Sequence, residues 1–218
     1  MESWAGSGEG GSSLVWYASY GSNMHLDRLA AYVRGGRPAG AARTYPGCRD
    51  TAMPSRSVPV ELPGGLYFAT ESPVWGGGRA FYDPGMTGRA LAVAHLVTAQ
   101  QFADIAAQEM YREPGADLDL SKAVACGRAV LGAGRYETLV CAGRIDGAPV
   151  LTFTAPWGRD DVPCVAPSSD YLRFLATGLL AAHAWTADEI ARYLAACPGA
   201  AGHWSRARVD DLLRREAA

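Results

Sequence analysis

The chain has 218 residues, 49% of them hydrophobic and only 19% charged, which is enough apolar material for a sizeable core in one domain, two at most. A formal net charge of −2 gives no general attraction to nucleic acid or anionic lipid. No unbroken apolar run approaches the roughly 18 residues of a membrane span, and no secretory leader pattern opens the chain, so neither membrane insertion nor export is expected.

Residues 1–13, MESWAGSGEGGSS, are Gly, Ser and charge for the most part and are expected to form a disordered leader. A strand follows at about 14–20 and runs through Tyr20-Gly21-Ser22-Asn23 into a helix near 24–34, which ends before Gly35-Gly36 as a C-cap. From 41 to 98 the chain reads as strands broken by Pro and Gly: SVPVEL (57–62), GLYFATE (65–71), RAFY (79–82) and ALAVAHLV (90–97). Thr98 and Gln101 have the spacing of a capping box, opening a helix that reaches about Tyr111. Residues 136–153 read as a hairpin around Asp146-Gly147. Three helices close the chain, near 168–183, 187–197 and 205–216. The pattern is α+β, with long central strands that can curl into a small mixed β-barrel with surrounding helices. Residues 14–183 form the expected domain, and 184–218 an extra C-terminal helical extension packed on it.

Cys48, Cys126, Cys141, Cys164 and Cys197 are odd in number and far apart, with no C-x-x-C pair, which favours reduced thiols in a cytoplasmic setting. The four histidines are equally scattered, and no metal site is expected. Cys48 and Cys164 read as small core residues rather than nucleophiles, and no G-x-S-x-G elbow is present.

Two places can carry chemistry. A strand that ends in Gly and feeds a helix leaves backbone N–H groups free to bind a carboxylate or phosphate. Gly21 permits close approach of a ligand, and Ser22 or Asn23 either caps the helix or donates to the ligand. On the helix that follows Thr98, Glu109 falls within about 20° of Phe102 at ~100° per residue, in the apolar stripe with Ile105 and Ala106. A carboxylate there is desolvated, with its pKa raised toward that of a general acid/base, unless the helix end is frayed or Glu109 pairs with a cation such as Arg112. Trp75-Gly-Gly-Gly-Arg79-Ala80 lacks the Lys-Ser/Thr of a phosphate loop and marks a bulge or a surface where something approaches the backbone. Arg79 is a candidate carboxylate clamp, and Phe153 and Trp157 are candidate pocket walls.

In order along the chain, Tyr20-Gly21-Ser22-Asn23, the Trp75–Ala80 segment, Gln108-Glu109 and Pro167-Ser168-Ser169-Asp170-Tyr171 resemble the motifs of the γ-glutamylcyclotransferase family. The matched span is roughly 15 to 181. Met110 stands where the family has glycine, and the segments 50–72 and 157–166 look longer than in compact members. The resemblance implies a mixed-barrel α+β fold and a cofactor-independent enzyme. Its substrate would be a small γ-glutamyl amide, whose α-amino group attacks the γ-carbonyl to release 5-oxoproline and an amine. It implies catalysis by Glu109 and substrate binding by Tyr20, Gly21, Ser22, Asn23, Met24 and Tyr171, with Arg79 and Ser168 at the same pocket. Removal of a γ-glutamyl group from a biosynthetic intermediate, or a related amide transfer, is a variant of this reading, and a non-catalytic binding module on the same scaffold is its rival. A monomer or homodimer is expected. The tail, with Arg206 to Arg215 offset by Asp210, Asp211 and Glu216, reads as a docking stripe of Val209, Leu212 and Leu213 rather than a nucleic-acid reader.

Overall fold

The segment LVWYAS forms strand β1 (Leu14–Ser19), with five of its six residues buried. Its side chains alternate: Val15 and Tyr17 enter one apolar cluster, Trp16 and Ala18 another. A strand buried on both faces needs cover on both, and helices supply it. The structure is a computed structural model that describes residues 13–37 and 43–214. The leader expected over 1–13 therefore lies, but for Ser13, outside the described residues, as do the last two residues of the helix expected over 205–216.

After β1 come α1 (Leu26–Arg34), β2 (Ser57–Pro63), β3 (Gly65–Glu71), β4 (Gly78–Asp83), β5 (Arg89–Thr98), α2 (Ala99–Glu109), α3 (Ser121–Cys126) and β6 (Arg128–Val130). The hairpin β7 (Thr138–Ile145) and β8 (Ala148–Thr154) follows, then α4 (Ser169–Ala181), α5 (Ala187–Ala196) and α6 (Arg206–Arg214). Six strands make one sheet in the order β2-β5-β1-β8-β7-β6, with β1 antiparallel to β5 and parallel to β8. Strands β3 and β4 form a separate two-stranded sheet. The class is α+β as expected, but no barrel closes among the described residues. Pro63 and Gly64, the latter at φ +121°, divert the chain from β2 into the second sheet, so β2 remains an edge.

Local signals account for most boundaries. The Thr98 hydroxyl accepts from Gln101 N at 3.0 Å, and the Gln101 side chain accepts from Thr98 N at 3.0 Å, closing the capping box of α2. Asp146 and Gly147, at φ 51° and 80°, make the turn between β7 and β8, where right-handed strand twist favours two positive φ values.

Phe102, Ile105 and Ala106 of α2 pack with Tyr17, Leu29, Val33 and Phe153 on one face of the sheet. On the other face, Leu172, Leu175 and Leu179 of α4 join Ile190 and Leu194 of α5 and Val209 and Leu213 of α6. Each such buried side chain contributes about 1.5–3 kcal/mol. The connection between α5 and α6 also reaches β3: Phe68 N–H donates to the Pro198 carbonyl at 2.8 Å, and the Phe68 carbonyl accepts from Val165 N–H at 3.0 Å.

The glycine run after Trp75 lies against the chain's own backbone. Gly78 N–H donates to the Ala166 carbonyl at 2.8 Å, and a Cβ at Gly78 would fall 2.0 Å from the Val165 carbonyl oxygen. What approaches this run is the segment that leads into α4, the P-S-x-x-Y stretch of the sequence.

Candidate active site

A cavity of about 110 Å³ opens where β1 ends, between the turn after it, the C-terminal end of α2 and the start of α4. Tyr20, Gly21, Ser22 and Asn23 form one wall, Trp75, Arg79 and Tyr171 another, and Glu109 faces them.

Glu109 is the last residue of α2. The capping box and the apolar stripe fix the rotation of the helix, which carries the carboxylate toward β1. Asn23 Nδ2 donates to its Oε1 at 3.3 Å and to the Tyr17 hydroxyl at 3.3 Å. Burial raises the pKa of Glu109 above 4.5, and it outweighs the Tyr32 hydroxyl and the guanidinium groups of Arg28, Arg135 and Arg43, which lower it. A negative charge at a helix C-terminus is also disfavoured by the peptide dipoles. Arg112 does not neutralise it, since that guanidinium pairs with Glu137.

The turn after β1 differs from the simple strand-to-helix junction expected. Ser22–Met24 form one 3₁₀ turn, α1 begins only at Leu26, and neither Ser22 nor Asn23 caps it. Met24 N–H donates to the Gly21 carbonyl at 3.1 Å and His25 N–H to the Ser22 carbonyl at 3.3 Å. The N–H groups of Ser22 and Asn23 precede those bonds and have no partner within the turn. Met24, expected at the pocket, is excluded from it: its N–H is used, and its side chain packs in the core beside α4.

Asn23 is fixed from behind. Its carbonyl accepts from His95 Nε2 at 3.0 Å, and Ser57 Oγ lies 2.8 Å from His95 Nδ1. A carbonyl only accepts, so Nε2 carries the proton and Nδ1 accepts from the serine. Burial depresses the His95 pKa from 6.5 to about 4, so the ring stays neutral. The folded value lies below the unfolded one. As pH falls from 6.5 toward 4, the unfolded chain takes up a proton that the folded chain refuses, and stability is lost. At about 1.4 kcal/mol per pH unit the loss totals roughly 3 kcal/mol. Urea denaturation between pH 7.5 and 4.5 is expected to show this loss in the native chain and not in His95→Gln; parallel pH curves would contradict it.

Tyr171 is held by Ala80 N–H, which donates to its hydroxyl at 3.3 Å, and by the Trp75 ring 5.3 Å away. Ser168 lies outside the cavity. Its hydroxyl caps α4 by accepting from Tyr171 N and donates to the Trp75 carbonyl at 2.7 Å, tying the glycine loop to the helix. Phe153 lines the cavity but Trp157 packs instead near Tyr67 and Phe81. Of the two cysteines expected in the core, Cys48 is buried, with its thiol pushed up to about 12 by burial, whereas Cys164 is exposed beside β3.

Sequence reading placed Arg79 at the cavity and missed the rest of its basic side. Arg28, Arg43, Arg79 and Arg135 all line it, and among the described residues none has a carboxylate within ion-pair distance. Arg28, only 8% exposed, donates to the Tyr45 hydroxyl at 2.7 Å. Among the described residues, the Nε atoms of Arg28, Arg79 and Arg135 and the Oδ1 of Asn23 are buried with no hydrogen-bond partner. Arg28 was legible, five residues after Asn23 on a short helix. Arg43 and Arg135 come from loops far apart in the chain, with no periodicity to link them. No group of three or more His, Cys, Asp or Glu among the described residues is placed to hold a metal ion, and no described helix is long and apolar enough to cross a membrane.

These features define an α+β protein with a charged cavity at the end of its central strand. A solved structure titled "Gamma-glutamyl cyclotransferase" has the same fold, with a TM-score of 0.52 at 13% identity over 93% of this chain and 99% of that one. An uncharacterized protein from Homo sapiens aligns with a TM-score of 0.49 at 14% identity, again over 93% and 99% of the two chains. Among curated proteins, "Histone deacetylase 5" from Arabidopsis thaliana is 30% identical over an alignment 198 residues long that covers 83% of this chain and 30% of that protein. The chain thus spans under a third of the length of that relative. No family model matches the chain.

Proposed function

We propose that the chain is a γ-glutamylcyclotransferase-like enzyme that cleaves a γ-glutamyl amide by attack of the substrate's own α-amino group. The observation that carries this reading is Glu109, a carboxylate with a raised pKa facing the turn Tyr20–Asn23 across a small cavity. The fold shared with a solved cyclotransferase supports it. Nucleophile and electrophile belong to one molecule, so the protein has to fold the substrate and move protons. Glu109 suits the α-ammonium, while the N–H groups of Ser22 and Asn23 suit the α-carboxylate or the developing oxyanion. The attacking nitrogen forms a bond to the γ-carbonyl carbon as the amide C–N bond breaks. The two protons it sheds pass through Glu109 to the departing nitrogen, which leaves as an ammonium, and no water is consumed.

The test is incubation with a panel of γ-glutamyl amino acids, peptides and amines, with 5-oxoproline followed by mass spectrometry. Release from at least one member is expected; none from a folded protein would sink the reading in favour of a binding module. Gly21→Ala offers a second check. A Cβ there would meet only the Tyr171 hydroxyl, at 3.8 Å, and the backbone φ of −120° suits alanine. The methyl group would occupy cavity space, so KM is expected to rise about tenfold, about 1.4 kcal/mol, with stability unchanged. An unchanged KM would remove Gly21 from the binding wall.

A further inference from the structure

The charges that line the cavity bear on what fills it. On one side sits the Glu109 carboxylate, which accepts from Asn23 Nδ2 at 3.3 Å. Against it stand the guanidinium groups of Arg28, Arg43, Arg79 and Arg135. Four guanidinium groups and one carboxylate leave a surplus of positive charge, and unpaired charges in a partly buried site are costly until an anion arrives. A γ-glutamyl head cannot supply that anion, because its α-carboxylate and α-ammonium cancel. The balance must come from the other side of the amide.

The geometry shows where. The guanidinium carbons of Arg43 and Arg135 lie 4.6 Å and 4.3 Å from the centre of the Tyr111 ring. Tyr111 is 55% exposed and lines the cavity, so this arrangement stands at the opening. Its backbone is in the left-handed region, φ 58°, a conformation that tyrosine rarely adopts and that the end of α2 imposes. Arg43 is steadied by donating to the Gln108 carbonyl at 3.2 Å, next to the reactive carboxylate. The arginines thus share one aromatic platform, with donors left for a ligand that extends outward from Glu109.

On the reading given under Proposed function, we propose that the departing amine carries two acidic groups, as when the γ-glutamyl amide joins an acidic amino acid, and that Arg43 and Arg135 bind them at the mouth of the cavity. A neutral alkylamine leaves the surplus charge unmet. A simple amino acid, with one carboxylate, meets it in part.

The test separates binding from turnover. In the Glu109→Gln chain, titration calorimetry at low ionic strength compares γ-glutamyl-glutamate, γ-glutamyl-alanine and γ-glutamyl-propylamine. Affinity is expected to fall in that order, by about tenfold or more from first to last, as the loss of charge-assisted hydrogen bonds implies. Adding Arg43→Gln with Arg135→Gln is expected to abolish the ranking, and lysine at both positions to restore part of it. Equal affinities for the three ligands, or a ranking that survives both glutamines in a chain with native melting behaviour, would overturn the proposal. In the native chain, equal kcat/KM for all three would overturn it too while leaving the cyclisation reading intact. No 5-oxoproline from any of them, with the affinity ranking preserved, would sink the cyclisation reading and leave the acid-binding mouth standing.

Discussion

Glu109→Gln is expected to lower 5-oxoproline release by about three orders of magnitude, within the 10²–10⁴ that a positioned general acid/base typically contributes. The substitution keeps the size of the side chain and an oxygen that can accept from Asn23 Nδ2. It removes only the ability to take a proton. Because burial raises the pKa of the native carboxylate, the acid limb of the native kcat/KM profile should lie above pH 4.5. That pKa also has a consequence for stability. A carboxylate harder to ionise in the folded than in the unfolded chain opposes folding once the pH exceeds its unfolded value. Glu109→Gln should therefore be at least as stable as the native chain at pH 8, and less favoured relative to it as the pH drops. Near-native turnover in a folded variant would remove Glu109 from the reaction.

Asp104→Ala is expected to cost about 2–4 kcal/mol, chiefly because two backbone N–H groups lose their acceptor. Asp104 is fully buried on α2 and accepts from Arg49 N at 2.9 Å, from Arg49 Nε at 3.1 and 3.0 Å, and from Gly115 N at 3.2 Å. Its loss strands two backbone N–H groups and leaves Arg49 with Asp117, an exposed carboxylate. The same contacts hold the chain on either side of Glu109, so kcat should fall even in the fraction that remains folded. Chemical denaturation measures the first effect and single-turnover kinetics on folded protein the second. A loss under about 1 kcal/mol would mean that water replaces the carboxylate.

Features encoded by neighbouring residues were the most legible. The capping box, the Asp-Gly turn and the position of Glu109 on the apolar stripe of α2 each follow from residues a few positions apart, where backbone geometry dictates the outcome. The 3₁₀ turn at Ser22–Met24 escaped because Ser and Asn signal a cap, and only the packing of Met24 against α4 decides otherwise. The open sheet escaped because strand lengths do not reveal whether the chain, turning at Pro63-Gly64, returns to the first sheet or starts a second. Arg79 was legible from its segment, but Arg43 and Arg135 join it only in three dimensions, and charges in separate loops have no common period to betray them.

The bonds from Phe68 to Val165 and Pro198 bear on biosynthesis. Strand β3 is made early, yet the backbone groups along its outer side are satisfied by residues made much later. Until the α5–α6 connection has left the ribosome, that side stays an open template flanked by Tyr67 and Phe68, the kind of surface on which nascent chains associate. The terminal helices would then serve as a late seal on the domain. Chains ending before Pro198 should accumulate as soluble protein less well than the whole one, even though the cavity lies elsewhere.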